Sequence, residues 1–223
     1  MIEKVFSILE DFDLLIIDDN SPDGTADLVR EMQKKYPEKL HLIQRSGKLG
    51  LGTAYLTGFK WALEKHYAMV CEMDCDFSHN PDDLPRLRQA ILDGADVAVG
   101  SRYIKGGGVY NWPKRRILLS KGASFYARLL TGIPVQDTTA GFVCYRRIFL
   151  ENLNMDKIVF KGYAFQIQMK YAAFLMGYKI KEIPIWFKDR EEGVSKMSSN
   201  IIQEAILGII KMRWNAFFDH YQN

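Results

Sequence analysis

An α/β fold, with a mostly parallel sheet and helices on both faces, is predicted by three features of the 223-residue chain. Apolar runs of strand length alternate with amphipathic runs of helix length from Leu14 to Val99, the pattern of β-α units. The run Leu14-Leu15-Ile16-Ile17 is apolar without alternation, as suits a strand buried on both faces. Polar clusters at Asp18-Asp19, Asp74/Asp76 and Ser101-Arg102 each follow a strand run. Ligands of such sheets sit beyond the carboxyl ends of the strands.

The elements follow in order. Ile2, Val5, Phe6 and Leu9 recur at helical spacing. Strand 14–17 is followed by a helix over 23–36 and a strand over 40–44. A helix over 51–66 precedes the strand run 67–73. Pro81 to Asp93 reads as a helix with Asn80 as its cap and proline at its first position. Strand 95–99 follows. Beyond it, 117–130 and 163–176 read as helices, and 142–145 and 178–187 as strands. A last helix over about 198–218 carries an apolar stripe of Ile201, Ile202, Ala205, Ile206, Ile209 and Ile210.

Length and a hydrophobic content of 48% suit one domain over residues 1–223. No apolar stretch reaches the ~18–20 residues that span a bilayer, and the first residues lack the apolar core of a secretory signal. Cys71, Cys75 and Cys144 are an odd set without zinc-site spacing. Reduced, buried thiols and a cytoplasmic location are expected. The net charge of +3 conceals a segregation: residues 97–136 carry seven Lys/Arg and no acid, leaving 23 positive and 27 negative charges elsewhere. Such a basic segment implies a local anionic partner, or else a solvated basic face.

Three clusters carry chemistry. "DDNSPDGT" (18–25) places Asp19, Ser21, Asp23 and Gly24 at the first positions of a calcium loop. Arg30 occupies the twelfth, where a bidentate Glu is required, so that reading fails. A plain strand-to-helix turn and a nucleoside site at Asp19 both remain. In "EMDCDFSHN", Asp74 and Asp76 would share a face of the emerging strand, where their charges repel unless a cation intervenes. With Ser78 and His79 beside them, the acids suit Mg²⁺ or Mn²⁺ completed by substrate phosphates. "SRYIKGGGVYNWPKRR" (101–116) offers arginine forks for phosphate oxygens, with Tyr110 and Trp112 of the kind found at membrane interfaces. Nucleic acid fits less well, because the neighbouring acids would repel a polyanion.

Together "IDDNSPDGTA", "GKLGLGTAY", "EMDCDFSHNP", "GSRY", "NWP", "DTTAGF", "GYAFQI" and "DREEGVSK" resemble the dolichol-phosphate (polyprenol-phosphate) mannosyltransferases. These are inverting family-2 glycosyltransferases of the Rossmann-like GT-A fold. The resemblance implies GDP-mannose as donor, a polyprenyl phosphate as acceptor, and peripheral association with the cytoplasmic face of a membrane. It places Ile17 and Asp19 at the nucleoside, and Asp74, Cys75 and Asp76 at the D-x-D, with the Cys75 backbone near the sugar nucleotide and Asp76 as the main metal ligand. It places Arg102, Arg116 and Ser120 at the acceptor phosphate. Arg190 and Lys196 match a basic loop that closes over the donor diphosphate. Two departures stand out. The family begins with a strand ending in Pro-x-Tyr-Asn-Glu, whereas this chain starts at the following helix. The sheet is therefore expected to lack that strand, with weaker folding and donor binding. Gln168 stands where the family pattern has Glu.

The phosphate nucleophile is already largely ionised at neutral pH, its second pKa being about 6, so no general base is required. The basic 101–130 segment and the C-terminal helix are candidate interfacial elements, and plain packing is an equal alternative for the latter. Two rival functions are a UDP-glucose-dependent polyprenyl-phosphate glucosyltransferase and a non-catalytic binder of nucleotide sugar or lipid phosphate.

Overall fold

A computed structural model of the protein describes residues 1–8, 11–189, 207–214 and 221–222. Strand β1 (Leu14–Asp18) pairs in parallel with β2 (Leu40–Gln44). Helix α1 (Ile2–Phe6) precedes β1, and α2 (Thr25–Lys35) joins the two strands. Gly24 opens α2 in the left-handed region at φ 81°, a conformation that costs glycine nothing. Helix α3 (Leu51–Glu64) leads to β3 (Met69–Glu72). A 3₁₀ turn over Pro81–Asp83 follows, and the Asn80 side chain accepts the Asp82 N–H at 3.1 Å, as the cap requires. Then come α4 (Leu84–Leu92), β4 (Val97–Ser101), β5 (Gly108–Tyr110) and α5 (Lys114–Thr131). Next are β6 (Val143–Arg146), α6 (Arg147–Asn152), α7 (Tyr163–Leu175), β7 (Ile180–Pro184) and β8 (Trp186–Lys188). Residues 207–214 are helical.

The main sheet has the order β3-β6-β4-β7, and all five residues of β4 are buried. Its side chains alternate between two cores. Val97 and Val99 pack with Phe59, Phe149, Phe165 and Tyr171 of α3, α6 and α7. Ala98 packs with Val5, Leu84, Leu87 and Ile91 of α1 and α4 on the other face. Helices thus cover both faces, as the apolar strand runs require.

Three details depart from the sequence reading. The sheet is mixed, because β6 enters antiparallel to both β3 and β4. The strand expected over 178–187 breaks at Ile185, whose N–H donates to the Ser101 carbonyl and whose carbonyl accepts the Gly108 N–H, both at 3.0 Å. The chain there leaves β4 and forms a parallel ribbon, β5–β8. A Cβ on Gly107 would lie 2.5 Å from the Ser101 oxygen, so that close approach needs glycine. Strands as short as β5, and a helix as short as α6, carry no periodicity to read.

Strands β1 and β3 do not pair; β1–β2 and the four-stranded sheet are separate. A cavity of about 1100 Å³ lies between them, lined by residues of β1, β3 and α3. The described part of the last helix packs inward: Ile209 and Met212 join the core, and Gly208 sits against the Phe160 ring. The rest of the predicted 198–218 helix lies outside the described residues.

Candidate active site

Strand β3 ends at Glu72, so Asp74, Cys75 and Asp76 stand on a loop rather than on one strand face. Phe77 takes φ 60°, an uncommon backbone for a bulky residue, and the Ser78 N–H donates to Asp76 Oδ1 at 3.0 Å. Tyr55 of α3 donates to Asp74 Oδ1 at 3.3 Å. The Asp74 N–H donates to Nδ1 of buried His79 at 3.2 Å, which requires that nitrogen to be unprotonated. Burial, opposed by the Asp74 charge, lowers the His79 pKa and keeps the ring neutral. Asp74, Cys75 and Asp76 all line the mouth of the cavity. Cys75 is exposed, contrary to the expectation of buried thiols, whereas Cys144 is buried and Cys71 half-buried.

Two carboxylates braced from behind by hydroxyl and amide donors suit a hard divalent cation. Among the described residues no three His, Cys, Asp or Glu side chains gather around one point. Substrate oxygens would therefore complete the coordination, as is usual for Mg²⁺. Ile17 at the end of β1 lines the same cavity. Asp19 is engaged by Arg45, whose guanidinium approaches Oδ1 to 2.5 Å. Arg45 also donates to Thr53 at 2.8 Å. Arg45 has no place in the sequence reading, for which a lone arginine after a strand offered no signal.

The acceptor side is built on a buried ion pair. Arg102 donates to Asp137 from its backbone N–H at 3.0 Å, from Nε at 2.7 Å and from Nη2 at 2.6 Å, and to Thr139 Oγ1 at 2.9 Å. Its side chain is 9% exposed and that of Asp137 fully buried. Burial pushes the Asp137 pKa up, but the Arg102 charge and hydrogen bonds outweigh it and hold the carboxyl below its usual value. Arg102, expected to meet a phosphate, is thus first of all the partner of Asp137. Asp137 is the first acid after the acid-free basic segment, a signal that could have revealed the pair. Arg116 is presented differently. Its guanidinium lies 3.9 Å above the Trp112 ring and bonds Asp189 at 2.8 Å. Its buried Nε has no partner among the described residues. Ser120 accepts from Tyr103 at 2.6 Å, and Lys121 lies over the Tyr103 ring. Arg190 and Lys196 lie outside the described residues.

Phe187 of β8 joins the two sides. Its ring meets His79 at 5.1 Å, Trp112 at 5.3 Å and the Arg102 guanidinium at 5.5 Å. The Lys188 N–H donates to the Ser78 carbonyl at 3.1 Å. The acidic loop and the arginine cluster are therefore neighbours, separated by about one aromatic ring. Beneath them lies buried Lys170, whose Nζ donates to the Ala140 carbonyl at 2.7 Å and the Gln166 carbonyl at 3.1 Å.

Comparison with known proteins supplies the lineage. The model for "Glycosyl transferase family 2" matches residues 1–153. A polyprenol monophosphomannose synthase of Mycolicibacterium smegmatis is 47% identical over 88% of this chain and 74% of its own length. An undecaprenyl-phosphate mannosyltransferase of Micrococcus luteus is 43% identical over 91% and 82%. Among solved structures, glucosyl-3-phosphoglycerate synthase of Mycobacterium tuberculosis with phosphoglyceric acid aligns at TM-score 0.67, covering 96% of this chain and 74% of that one at 15% identity. The same enzyme with Mn²⁺, uridine-diphosphate-glucose and phosphoglyceric acid aligns at 0.64, covering 96% and 75% at 16% identity. At that identity the likeness speaks for the GT-A fold alone. With an acidic loop beyond a strand end, an arginine cluster across one ring, and this kinship over most of its length, the chain belongs to the family-2 glycosyltransferases.

Proposed function

We propose that this chain transfers mannose from GDP-mannose to a polyprenyl phosphate, with inversion at the anomeric carbon. The observation that carries this reading is the apposition of the Asp74/Asp76 loop and the Arg116 cluster across Phe187. It is supported by two relatives whose names specify mannose and a polyprenyl phosphate. GDP as the nucleotide rests on the resemblance of "DFSHNP" and its neighbours to the mannosyl enzymes.

A phosphate monoester oxygen forms the new bond to the anomeric carbon, and the bond from that carbon to the diphosphate oxygen breaks, GDP leaving with the electron pair. The nucleophile is an anion already, so the chain's work is positioning and charge compensation. Arg116, held flat on Trp112 and bonded to Asp189, with an Nε that has no partner among the described residues, holds the acceptor phosphate. Arg102, fixed by Asp137, packs on the Trp112 and Tyr103 rings behind it, and Ser120 and Lys121 meet the same Tyr103. A divalent cation, Mg²⁺ or Mn²⁺, bound by Asp74 and Asp76 would stabilise charge on the departing diphosphate. Neutral His79 fixes the Asp74 backbone without adding a charge. Ile17 and Asp19, the latter oriented by Arg45, border the nucleoside, and the family resemblance assigns Arg190 and Lys196 to the diphosphate.

The acceptor's lipid tail implies a membrane surface. No helix among the described residues is long and apolar enough to cross a membrane. Helix α5 instead exposes Leu118, Phe125 and Leu129, each at least 65% accessible, interleaved with Lys114, Lys121 and Arg128 at helical spacing. An exposed apolar stripe among basic residues suits the anionic headgroup region of a cytoplasmic leaflet. The direct test incubates the protein and undecaprenyl phosphate with GDP-mannose or UDP-glucose and Mg²⁺ or Mn²⁺. Lipid-linked mannose, lost in Asp76→Asn, is expected. Lipid-linked glucose would install the rival donor, and binding without transfer would make the chain a binder. In vesicle flotation, Leu118→Lys with Leu129→Lys should release the protein from anionic membranes; unchanged flotation would remove α5 from the interface.

A further inference from the structure

The turn over residues 136–140 is held at both ends by charged side chains that have no part in the transfer as described so far. At its start, the carboxylate of Glu182 on β7 accepts the Gln136 N–H at 2.8 Å and the Asp137 N–H at 3.0 Å. At its end, Nζ of Lys170 on α7 donates to the Ala140 carbonyl at 2.7 Å. The Ala140 N–H closes the turn on the Asp137 carbonyl at 3.3 Å. Side chains within the turn face Arg102: Asp137 accepts from three of its donors, and Thr139 Oγ1 accepts from its Nη2. Two residues beyond Ala140, the Phe142 ring lies 5.1 Å from that of His79, whose Nδ1 accepts the Asp74 N–H. One short segment therefore reaches the acceptor-side arginine and the support of the acidic loop.

A buried ammonium is an unfavourable means of holding one carbonyl. Lys170 is fully buried, and taking its charge out of water opposes folding. Burial lowers its pKa to about 8 against the opposing pull of Glu72 and Asp137. A methionine of similar length would fill the space without that penalty. It would lack the directed donors: Nζ also reaches the Gln166 carbonyl at 3.1 Å and Gln166 Oε1 at 3.4 Å, which fixes the ammonium on α7. Neither Lys170 nor Glu182 lies in a motif of the family resemblance. We propose that Lys170 and Glu182 are positioning residues for the transfer, clamping the 136–140 turn so that Arg102 keeps one place relative to the acidic loop. The inference rests on the function proposed above. An in-line displacement depends on such placement, since a shift of about 1 Å can cost about 10²-fold in rate. Neither residue meets a substrate; each acts through the turn.

The test compares the whole chain with Lys170→Met and with Glu182→Ala, each of which frees one end of the turn. Glu182 is only half-buried, so its variant carries the test where Lys170→Met fails to fold. Amide exchange reads the clamp without any reaction. The Arg102 amide, bonded to Asp137, should exchange at least tenfold faster in each variant, while Ala98, paired within the sheet, stays unchanged. Mannose transfer from GDP-mannose to undecaprenyl phosphate reads the consequence. Counted per Mn²⁺–GDP binding site, which leaves out unfolded protein, kcat should fall at least tenfold with the KM for GDP-mannose within twofold. An unchanged Arg102 amide would overturn the proposal, as would equal acceleration at Ala98, which makes both residues general supports of the fold. So would a faster Arg102 amide with undiminished kcat. A parent chain that transfers no mannose would instead refute the proposed function, and the exchange result then decides the clamp by itself.

Discussion

Asp137→Asn probes the ion pair on which the acceptor side rests. The substitution keeps the shape of the side chain but removes the charge that faces three Arg102 donors at 2.6–3.0 Å. It also turns an amide NH₂ toward those donors. Arg102 is 9% exposed and Asp137 not at all, so screening by water is weak. Breaking a buried pair from one side costs about 3–5 kcal/mol, since the remaining charge stays buried. With a urea slope of about 2–3 kcal/mol/M for a chain of this size, the unfolding midpoint should fall by roughly 1–2.5 M. Tryptophan fluorescence in urea at pH 7 reads this directly. Combining Asp137→Leu with Arg102→Met should cost less than the sum of the single changes, because no charge is left unpaired. The acid limb offers a second check. The folded pKa of Asp137 lies below its ordinary 3.8, so the stability it contributes is complete above that value and lost as pH falls through the lower folded one. Asp137→Asn should remove that limb. A midpoint within about 0.3 M of the parent's, equivalent to less than about 1 kcal/mol at that slope, would refute the pair's structural role.

Other outcomes follow from single contacts. Arg116→Ala should raise the KM for acceptor about tenfold or more, worth about 1.4 kcal/mol, with the KM for GDP-mannose unchanged; equal changes would assign Arg116 to the donor. Gln168→Glu should destabilise by about 1–3 kcal/mol, read by thermal unfolding. The Gln168 amide accepts from the Val159 and Phe160 N–H groups and donates to the Lys157 carbonyl at 2.8 Å, and a carboxylate cannot donate. A neutral result would mean the 157–160 loop rearranges. Lys170, buried, has its pKa lowered to about 8, so its charge costs stability below pH 8 and that cost fades between pH 8 and its ordinary 10.5. Lys170→Met should abolish that alkaline gain in urea-midpoint profiles. An unchanged profile would show that Lys170 is not its source.

The long elements were legible because their patterns are local. Five-residue β1 and β2 and helices α2, α3 and α7 have the composition of their kind, and the acidic run at 74–76 stands out in any strand-end search. Gln168 shows the limit: its departure from the family pattern was visible, but not that its amide holds the 157–160 loop. The apposition of the acidic loop and the arginines was invisible, since it depends on Phe187 of β8 reaching back to His79 across more than a hundred residues. Nor could composition separate Arg102 from Arg116: both are arginines in one basic segment, yet one is locked to fully buried Asp137 and the other lies on the Trp112 ring, bonded to the more exposed Asp189, with a buried Nε that has no partner among the described residues.

Residue order alone therefore determined the α/β alternation, the buried strands and the acids at a strand end, because helix and strand periodicity and turn chemistry act over a few neighbours. Which charges face which is decided by tertiary structure. Burial and pairing are properties of groups brought together from distant parts of the chain, and they exist only once the sheets and helices have closed around them.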